Sequence, residues 1–308
     1  MSNHEKIYLL NPVYRPPSEH ASLLIQLTEG CTYKCDFCVS NIHKNFRIRD
    51  IQDVKKDLDI GSRKKWGQNV RKIFFLDGNA MVTPTDKLLE VSNYAMKIFP
   101  HLERIGVYAH ANDILKKTEQ QLKALSDAGI KIAYVGFESG YNKLLQEINK
   151  NASKEDFIEA SRKLMKAKIT LSATFINGLG GSGNHDISKA HALESADLVN
   201  KICPNDDRIW YIAFLSLMVP LGTVIYDKKV KGDFKEMTAT ELLQELKLFI
   251  KNIRFQNKNA KCIFRSNHAS NFLPIKGILD RDKDSIIKSI DSGLKHPEIL
   301  RPYYYRGL

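Results

Sequence analysis

Three cysteines within eight residues constrain this chain more than any other feature. Cys31, Cys35 and Cys38 are spaced C-x3-C-x2-C and directly follow the apolar run at residues 22–28. One short loop therefore brings three thiolates together and supplies no fourth. An iron–sulfur cube ordinarily takes four cysteine ligands, one for each iron, so a loop with three leaves one iron open to a ligand that is not protein.

The spacing of the cysteine loop also permits a zinc site or a purely structural role. His43 follows Cys38 by five positions, so C-x3-C-x2-C-x4-H could close a tetrahedral zinc site. The three cysteines could also be plain core residues, although three in eight residues would be a coincidence. A structural zinc usually holds together a small module, whereas this loop opens a long α/β pattern. Cys203 and Cys262 stand alone among apolar neighbours and are expected to be buried thiols rather than ligands of a second cluster.

The run Cys31-Thr-Tyr-Lys-Cys35-Asp-Phe-Cys38 resembles the signature of the radical S-adenosylmethionine (SAM) enzymes, including the aromatic Phe37 before the last cysteine. The resemblance implies a [4Fe–4S] cluster whose open iron chelates the amino and carboxylate groups of SAM. An electron from a flavodoxin or ferredoxin would then cleave SAM to methionine and a deoxyadenosyl radical, in an oxidoreductase-type reaction under anaerobic conditions. The chain is most similar to the methylthiotransferase, Elongator catalytic subunit and oxygen-independent coproporphyrinogen oxidase groups.

Composition sets the broad class of the protein. A chain of 308 residues with 43% hydrophobic content can bury a full core. The N-terminus lacks the features of a signal peptide, and no apolar run approaches the ~20 residues that span a bilayer, so we expect a cytoplasmic protein with no membrane partner. The chain has 47 Lys and Arg residues and 35 Asp and Glu residues, which gives a net charge of +12. This charge favours an anionic partner, and the alternative is a lysine-rich surface with no specific partner.

Apolar runs alternate with helical patterns along most of the chain. The predicted strands cover residues 22–28, 73–76, 104–109, 130–137, 169–176 and 209–218. Six such alternations predict right-handed crossovers and a parallel sheet, hence an α/β fold whose simplest form is a partial (βα)6 TIM-like barrel. We expect a lead segment at 1–21, the barrel at 22–222 and a C-terminal α/β extension at 223–308 that covers it.

The resemblance assigns SAM-binding roles to loops at the carboxyl ends of these strands, where parallel barrels place their function. Asp77-Gly78-Asn79 follows the second strand, where the family carries a Gly-Gly-Glu-like motif that holds the SAM amino group. Because Asp-Gly-Asn departs from that motif, the resemblance implies backbone contacts rather than a side-chain role. The alternative is a simple turn at the end of a strand.

Further SAM contacts are implied after the fourth and fifth strands. Glu138 and Ser139 match a Glu-Ser-Gly element that would bind the ribose hydroxyls, although Glu138 could instead be an acid at a helix N-terminus. Lys150 aligns with a basic position that contacts the SAM carboxylate. Gly178 and Gly180 belong to a glycine-rich run implied to pack against the adenine, and no Gly-Lys-Ser/Thr follows to make a P-loop.

Two polar sets remain for the substrate: Tyr108 and His110 after the third strand, and His268 and Asn271 in the extension. We expect hydrogen abstraction from a small polar substrate. An RNA-modifying radical SAM enzyme is the alternative, supported by charge alone, since the lysines are dispersed and no RNA-binding module is recognisable. A non-catalytic iron–sulfur or zinc-binding protein is the alternative from another class.

Overall fold

The computed structural model describes residues 6–39, 42 and 44–307, so the predictions for His43 lie outside the described residues. The strands of this part are β1 (Leu23–Gln26), β2 (Thr28–Glu29), β3 (Arg47–Ile48), β4 (Lys72–Leu76), β5 (Arg104–Ala109), β6 (Ile130–Glu138), β7 (Thr170–Asn177), β8 (Ile209–Ser216), β9 (Lys261–Ser266) and β10 (Ile275–Ile278).

The α-helices lie mostly between these strands. They are α1 (Ile51–Arg63), α2 (Thr85–Ile98), α3 (Ala111–Leu115), α4 (Glu119–Asp127), α5 (Asn142–Glu147), α6 (Lys154–Lys166), α7 (His185–Lys201), α8 (Val224–Lys231), α9 (Ala239–Lys251) and α10 (Leu279–Lys295). No helix in the described part of the chain is both long enough and apolar enough to cross a membrane.

The chain forms two compact units. The first comprises Met1–Tyr33, Ser40–Val135 and Arg162–Leu171, and the second comprises Lys34–Val39, Gly136–Ser161 and Ser172–Leu308. Strands β6 and β7 and helix α6 each contribute residues to both units. The expected boundaries after residues 21 and 222 stay a prediction.

The first unit holds parallel strands in the order β1-β4-β5-β6, with β2 and β3 forming a short antiparallel ribbon beside them. Helix α1 begins at the N-cap Asp50, whose side chain accepts a hydrogen bond from Gln52 N at 2.8 Å. Its buried residues Ile51, Val54 and Leu58 recur at helical spacing, so one stripe of the helix faces the core.

The second unit holds strands in the order β7-β8-β9-β10, parallel except for β10, which runs antiparallel to β9. Burial alternates along β8, with Trp210, Ile212 and Phe214 on the buried face. The rings of Phe175 and Phe214 stack 5.1 Å apart in this core, and Phe249 of α9 lies 4.3 Å from Phe214. Burial of such rings is a main source of the apolar stabilisation of the unit.

The α/β class and the parallel arrangement predicted from sequence are confirmed, and the six predicted strands correspond to β1 and β4–β8. The expected extension contributes strands to the sheet of the second unit, because β9 pairs in parallel with β8 and β10 pairs with β9. The sequence suggested only a short apolar run at Cys262–Phe264, since Lys261 and Arg265 on the outer face interrupt it. Helices α3, α5 and α8 were missed because five to eight residues are too few to show a helical period.

Candidate active site

The cysteine loop offers three thiols, none of them in a disulfide. Cys31, Cys35 and Cys38 are all partly exposed. Cys31 Sγ accepts a hydrogen bond from Tyr33 N at 3.4 Å, and Cys38 N donates to Cys35 O at 3.0 Å, which makes a tight turn. Three accessible thiols in one loop, one with an N–H···S contact, fit the donor set of a [4Fe–4S] cube with one open iron. Among the described residues, no three His, Cys, Asp or Glu are gathered closely enough to hold a single metal ion.

Asp36 anchors the second half of the cysteine loop within the second unit. Its backbone N donates to Ile148 O and its O accepts from Ile225 N, both at 3.0 Å. The Asp36 carboxylate pairs with Lys228 Nζ at 2.7 Å and is largely buried. Phe37 beside it is half-buried. Asp36 was missed by the sequence analysis, because partners more than a hundred residues away leave no local pattern.

The turn after β4 lies directly against the cysteine loop in the first unit. A Cβ atom at Gly78 would come within 2.5 Å of Gly30 O and 2.7 Å of Cys31 Cβ. Only glycine leaves room for so close a contact between two backbones. Gly78 N also donates to the Asp77 carboxylate at 2.7 Å. The turn at residues 77–79 therefore lies beside the cysteine loop, and its backbone contacts with SAM stay a prediction.

The side chains of the same turn are occupied by other protein groups. Asp77 pairs with Lys44 Nζ at 2.7 Å, and both side chains are buried. Asn79 Nδ2 donates to Asp113 Oδ2 at 2.6 Å, while Asn79 Oδ1 accepts from His110 N at 3.2 Å. Both side chains therefore stabilise the turn. No local pattern pointed to either pairing, because Lys44 and Asp113 stand 33 and 34 residues from their partners.

His110 lies against the cysteine loop, whereas Tyr108 packs elsewhere in the first unit. The rings of Tyr33 and His110 stack with centroids 3.6 Å apart and planes 15° from parallel. Burial and the neighbouring Asp113 raise the pKa of Tyr33, which keeps its hydroxyl protonated. Tyr108 makes an edge contact with Phe74 at 5.0 Å. Of the two predicted substrate residues here, His110 is brought next to the loop by its stacking on Tyr33.

Glu138 and Lys150 form a buried ion pair in the second unit. Lys150 Nζ donates to Glu138 Oε1 at 2.9 Å, and the two side chains are 6% and 9% exposed. Glu138 has a φ of 65°, in the left-handed region that non-glycine residues rarely adopt. A Cβ at Gly136 would lie 2.0 Å from Glu138 Oε1, so the carboxylate folds back over this glycine. The two residues that the sequence assigned to SAM are thus in contact. The left-handed backbone at Glu138 is strained, and strain of this kind is typical of functional sites.

Ser139 and the glycine-rich turn after β7 each make a hydrogen bond with a buried side chain of a helix. Ser139 Oγ lies 2.8 Å from His191 Nδ1, and Glu245 Oε1 accepts from Gly178 N at 2.8 Å. His191 Nε2 and Glu245 Oε1 are 3.7 Å apart. Burial lowers the pKa of His191 below its ordinary value of 6.5, although Glu245 opposes the shift. Sequence analysis missed His191 and Glu245, because both lie on helix faces whose spacing predicts only core.

Packing by itself accounts for part of the glycine-rich run. Gly178 has a φ of 89°, and a Cβ there would lie 2.8 Å from the Leu242 side chain. A Cβ at Gly180 would lie 2.8 Å from the Ile187 side chain. Both positions therefore require glycine whatever the ligand. The predicted adenine contact stays a prediction.

The loop after β9 carries the other predicted substrate residues. The Asn271 amide accepts from Ser216 Oγ and donates to Phe214 O, both at 2.8 Å, so it fastens the loop to β8. His268 Nδ1 lies 3.0 Å from Ser270 Oγ. Asn271 is buried and His268 is half-buried. His268 is therefore the more accessible of the two for a ligand.

Comparison with protein families supports the chemistry of this site. The model of the Radical SAM superfamily matches residues 25–193. A tRNA-2-methylthio-N(6)-dimethylallyladenosine synthase from Petrotoga mobilis is 24% identical over 60% of this chain and 42% of its own length. The enzyme of the same name from Rickettsia canadensis is 27% identical over 59% of this chain and 41% of its own length. The chain thus spans about two fifths of the length of these relatives.

Solved structures share the fold. The radical SAM methyltransferase TsrM from Kitasatospora setae, solved with cobalamin and a [4Fe-4S] cluster, superposes with a TM-score of 0.54 over 71% of this chain and 41% of its own, at 16% identity. Methylornithine synthase (PylB) superposes with a TM-score of 0.52 over 90% of this chain and 81% of its own, at 13% sequence identity. At these identities the likeness concerns the fold alone.

The buried His191 predicts a pH-dependent stability. In the unfolded chain His191 takes up a proton near pH 6.5, whereas in the folded chain burial lowers its pKa. The stabilisation that is present above pH 6.5 is therefore lost as the pH falls below that value. The loss is at most about 1.4 kcal/mol per pH unit. In urea unfolding between pH 7.5 and 5.5 (about two units), His191→Gln should reduce the pH slope of the free energy of unfolding. The same substitution at the exposed His101 is the control. An unchanged slope in His191→Gln would contradict the assignment.

Proposed function

We propose that this chain, which belongs to the radical SAM superfamily, uses radical chemistry to modify an RNA. As a member of that family it is an enzyme that works with a [4Fe–4S] cluster and SAM. The family match covers residues 25–193, which include the cysteine loop and the turns after β4, β6 and β7. The observation that carries the RNA proposal is the similarity of this same part of the chain to enzymes named for a tRNA nucleoside.

The cysteine loop would hold the cluster through Cys31, Cys35 and Cys38, leaving one iron for SAM. When bound, the cluster supplies the electron that cleaves SAM, and a flavodoxin or ferredoxin would deliver that electron. The protein's own contribution at this loop is positioning. Gly78 lets the turn after β4 seat against Cys31, and the Tyr33 ring packs on His110.

Glu138 and Lys150 would contact SAM as an ion pair that the protein already forms by itself. A lone charge in so buried a place would be costly, and each of these groups neutralises the other. Glu138 would accept from the ribose hydroxyls, and Lys150 would lie near the SAM carboxylate. The hydrogen bond with His191 would hold Ser139 beside them.

Two observations favour RNA over the small polar substrate expected from sequence. The relatives that match at residue level carry tRNA in their names, although the chain covers only about two fifths of their length. The net charge of +12 suits a polyanion, because cationic side chains displace the counterions of phosphates. We therefore propose a tRNA-type substrate and keep a small polar molecule as the alternative outcome of the test.

Anaerobic reconstitution tests the cluster assignment. The protein should bind about four irons per chain, as three thiolates holding a cube require. The electron paramagnetic resonance signal of the reduced protein should change when SAM is added. Cys31→Ala, Cys35→Ala and Cys38→Ala should each abolish the signal, whereas Cys262→Ala should keep it. If the signal is the same with and without SAM, the assignment of an open iron is wrong.

Replacement of Glu138 tests the ribose assignment. Glu138→Gln preserves the size of the side chain and an oxygen acceptor for Lys150, but it leaves the buried Lys150 charge without a counter-charge, so the melting temperature of the variant is measured first to establish that it is folded. SAM affinity should fall by about 1–3 kcal/mol, the usual cost of a lost charged hydrogen bond. Equilibrium dialysis on the reconstituted protein measures the change, and Glu147→Gln, at an exposed position of α5, is the matched control. Unchanged affinity in Glu138→Gln would show that the assignment is wrong.

Substrate-stimulated SAM cleavage tests the RNA proposal. RNA from cells that lack this gene should increase deoxyadenosine release by the reduced enzyme, and nuclease digestion of that RNA should remove the effect. Mass spectrometry of the digested nucleosides should reveal a new modification. If an RNA-free metabolite extract stimulates release and RNA does not, the small-molecule alternative is correct.

A further inference from the structure

Asp36 lies in the chain between two of the cysteines that would hold the cluster, and distant parts of the second unit bind it. Its N donates to Ile148 O and its O accepts from Ile225 N, both at 3.0 Å. Its carboxylate pairs at 2.7 Å with Nζ of Lys228, which stands 192 positions further along the chain. The Asp36 side chain is only 10% exposed. One buried residue therefore connects the turn at Cys35–Cys38 to two distant segments.

Helix α8 makes two of these contacts. Ile225 lies in its first turn, where backbone N–H groups have no partner within the helix, and its N–H goes to Asp36 O. Lys228 stands three residues later, and residues at this spacing are neighbours on a helix surface, so it reaches the carboxylate of the same residue. Thr223 Oγ1 caps the helix by accepting from Tyr226 N at 3.2 Å. Helix α8 therefore holds Asp36 through a backbone contact and a side-chain contact.

The third contact of Asp36 is with the segment that carries Lys150. Ile148 directly follows α5, and Lys150, two positions later, pairs with Glu138 at 2.9 Å. Lys150 N donates to Leu145 O at 2.9 Å, which holds this segment at the end of α5. The position of Asp36, and of the cysteines next to it in the chain, thus depends on this segment as well as on α8.

The ion pair of Asp36 and Lys228 has a local effect on charge. Lys228 is 43% exposed, and an ion pair with so accessible a partner contributes little to the free energy of unfolding. The buried carboxylate would, without its cation, add a negative charge next to the thiolates that bind iron. The reduction potential of an iron–sulfur cluster depends on the net charge around it. A cation paired with Asp36 therefore favours reduction of the cluster.

We propose that Lys228 is a positioning residue for the [4Fe–4S] cluster, acting through Asp36 on the turn at Cys35–Cys38. It holds that turn in place and offsets the negative charge of Asp36 when the cluster is bound. The inference rests on the cluster assignment within the proposed function and deepens it. Lys228 lies outside residues 25–193, which match the family model, so this support comes from a later part of the chain.

The test compares the full-length parent with Lys228→Met, Lys228→Arg and Lys229→Met after anaerobic reconstitution. Met keeps the length of the lysine side chain without its charge. Lys229 is the matched control, because it is the next residue of α8, is also 43% exposed and pairs with Glu236 rather than with Asp36. Iron release to a ferrous-iron chelator and the midpoint potential of the cluster are measured for each protein.

Lys228→Met should release iron about three- to five-fold faster than the parent, near the upper end for an ion pair with one accessible partner. Its midpoint potential should shift to a more negative value, because Asp36 keeps its charge without a cation. Lys228→Arg restores the cation and should match the parent, and so should Lys229→Met. The melting temperature of the cluster-free protein should stay close to that of the parent in every variant, since the backbone contacts of Asp36 remain.

Asp36→Asn gives a second, independent measurement. It removes the negative charge while the backbone contacts persist. In that background Lys228→Met should change the potential much less than it does in the parent, because the lysine has lost its partner and its charge is screened by solvent.

Four results would overturn the inference. If Lys228→Met matches the parent in iron release and potential, Lys228 has no role at the cluster, while the cluster assignment stands. If Lys229→Met shifts both quantities as much as Lys228→Met does, the effect is one of general surface charge. If Lys228→Met lowers the melting temperature of the cluster-free protein and leaves the potential unchanged, the ion pair is structural. If the parent takes up no iron through its three clustered cysteines, the cluster assignment fails and this inference fails with it.

Discussion

Parallel pairing of strands is the constraint on which each part of the site depends. Strands that run in the same direction end at the same edge, so the loops that follow them meet there. In the first unit, Gly78 after β4 touches Cys31 after β1, and His110 after β5 stacks on Tyr33. In the second unit, Leu217 N after β8 donates to Asn177 O at the end of β7. Residues far apart in sequence are brought together by strand direction.

Each unit has a buried ion pair at the end of a strand. Lys44 with Asp77 and Lys150 with Glu138 each join a residue at the end of a strand to a cation elsewhere in the chain. Removing one partner of such a pair leaves an uncompensated buried charge, which destabilises a protein far more than the pair itself stabilises it. The paired side chains therefore hold these turns in place. A rigid arrangement suits a site that must hold a reactive species away from side reactions.

The C-terminal residues take a larger part in the second unit than a covering extension would. Strand β9 extends the parallel sheet from β8, and Glu245 of α9 binds the backbone at Gly178. Arg301 and Arg306 then hold the loop after β9 from the end of the chain. The loop that carries His268 is thereby positioned by elements on both sides of it in sequence.

The sequence by itself determined the elements and the chemistry that depends on local pattern. The cysteine spacing and the alternation of strands and helices each involve residues only a few positions apart, and the confirmed α/β fold followed from that alternation. The tertiary structure alone decided the partners: Asp77 with Lys44, and Ser139 with His191. Such pairs leave no periodic trace in the chain, because a hydrogen bond depends on distance in space, which strand pairing sets and local sequence does not.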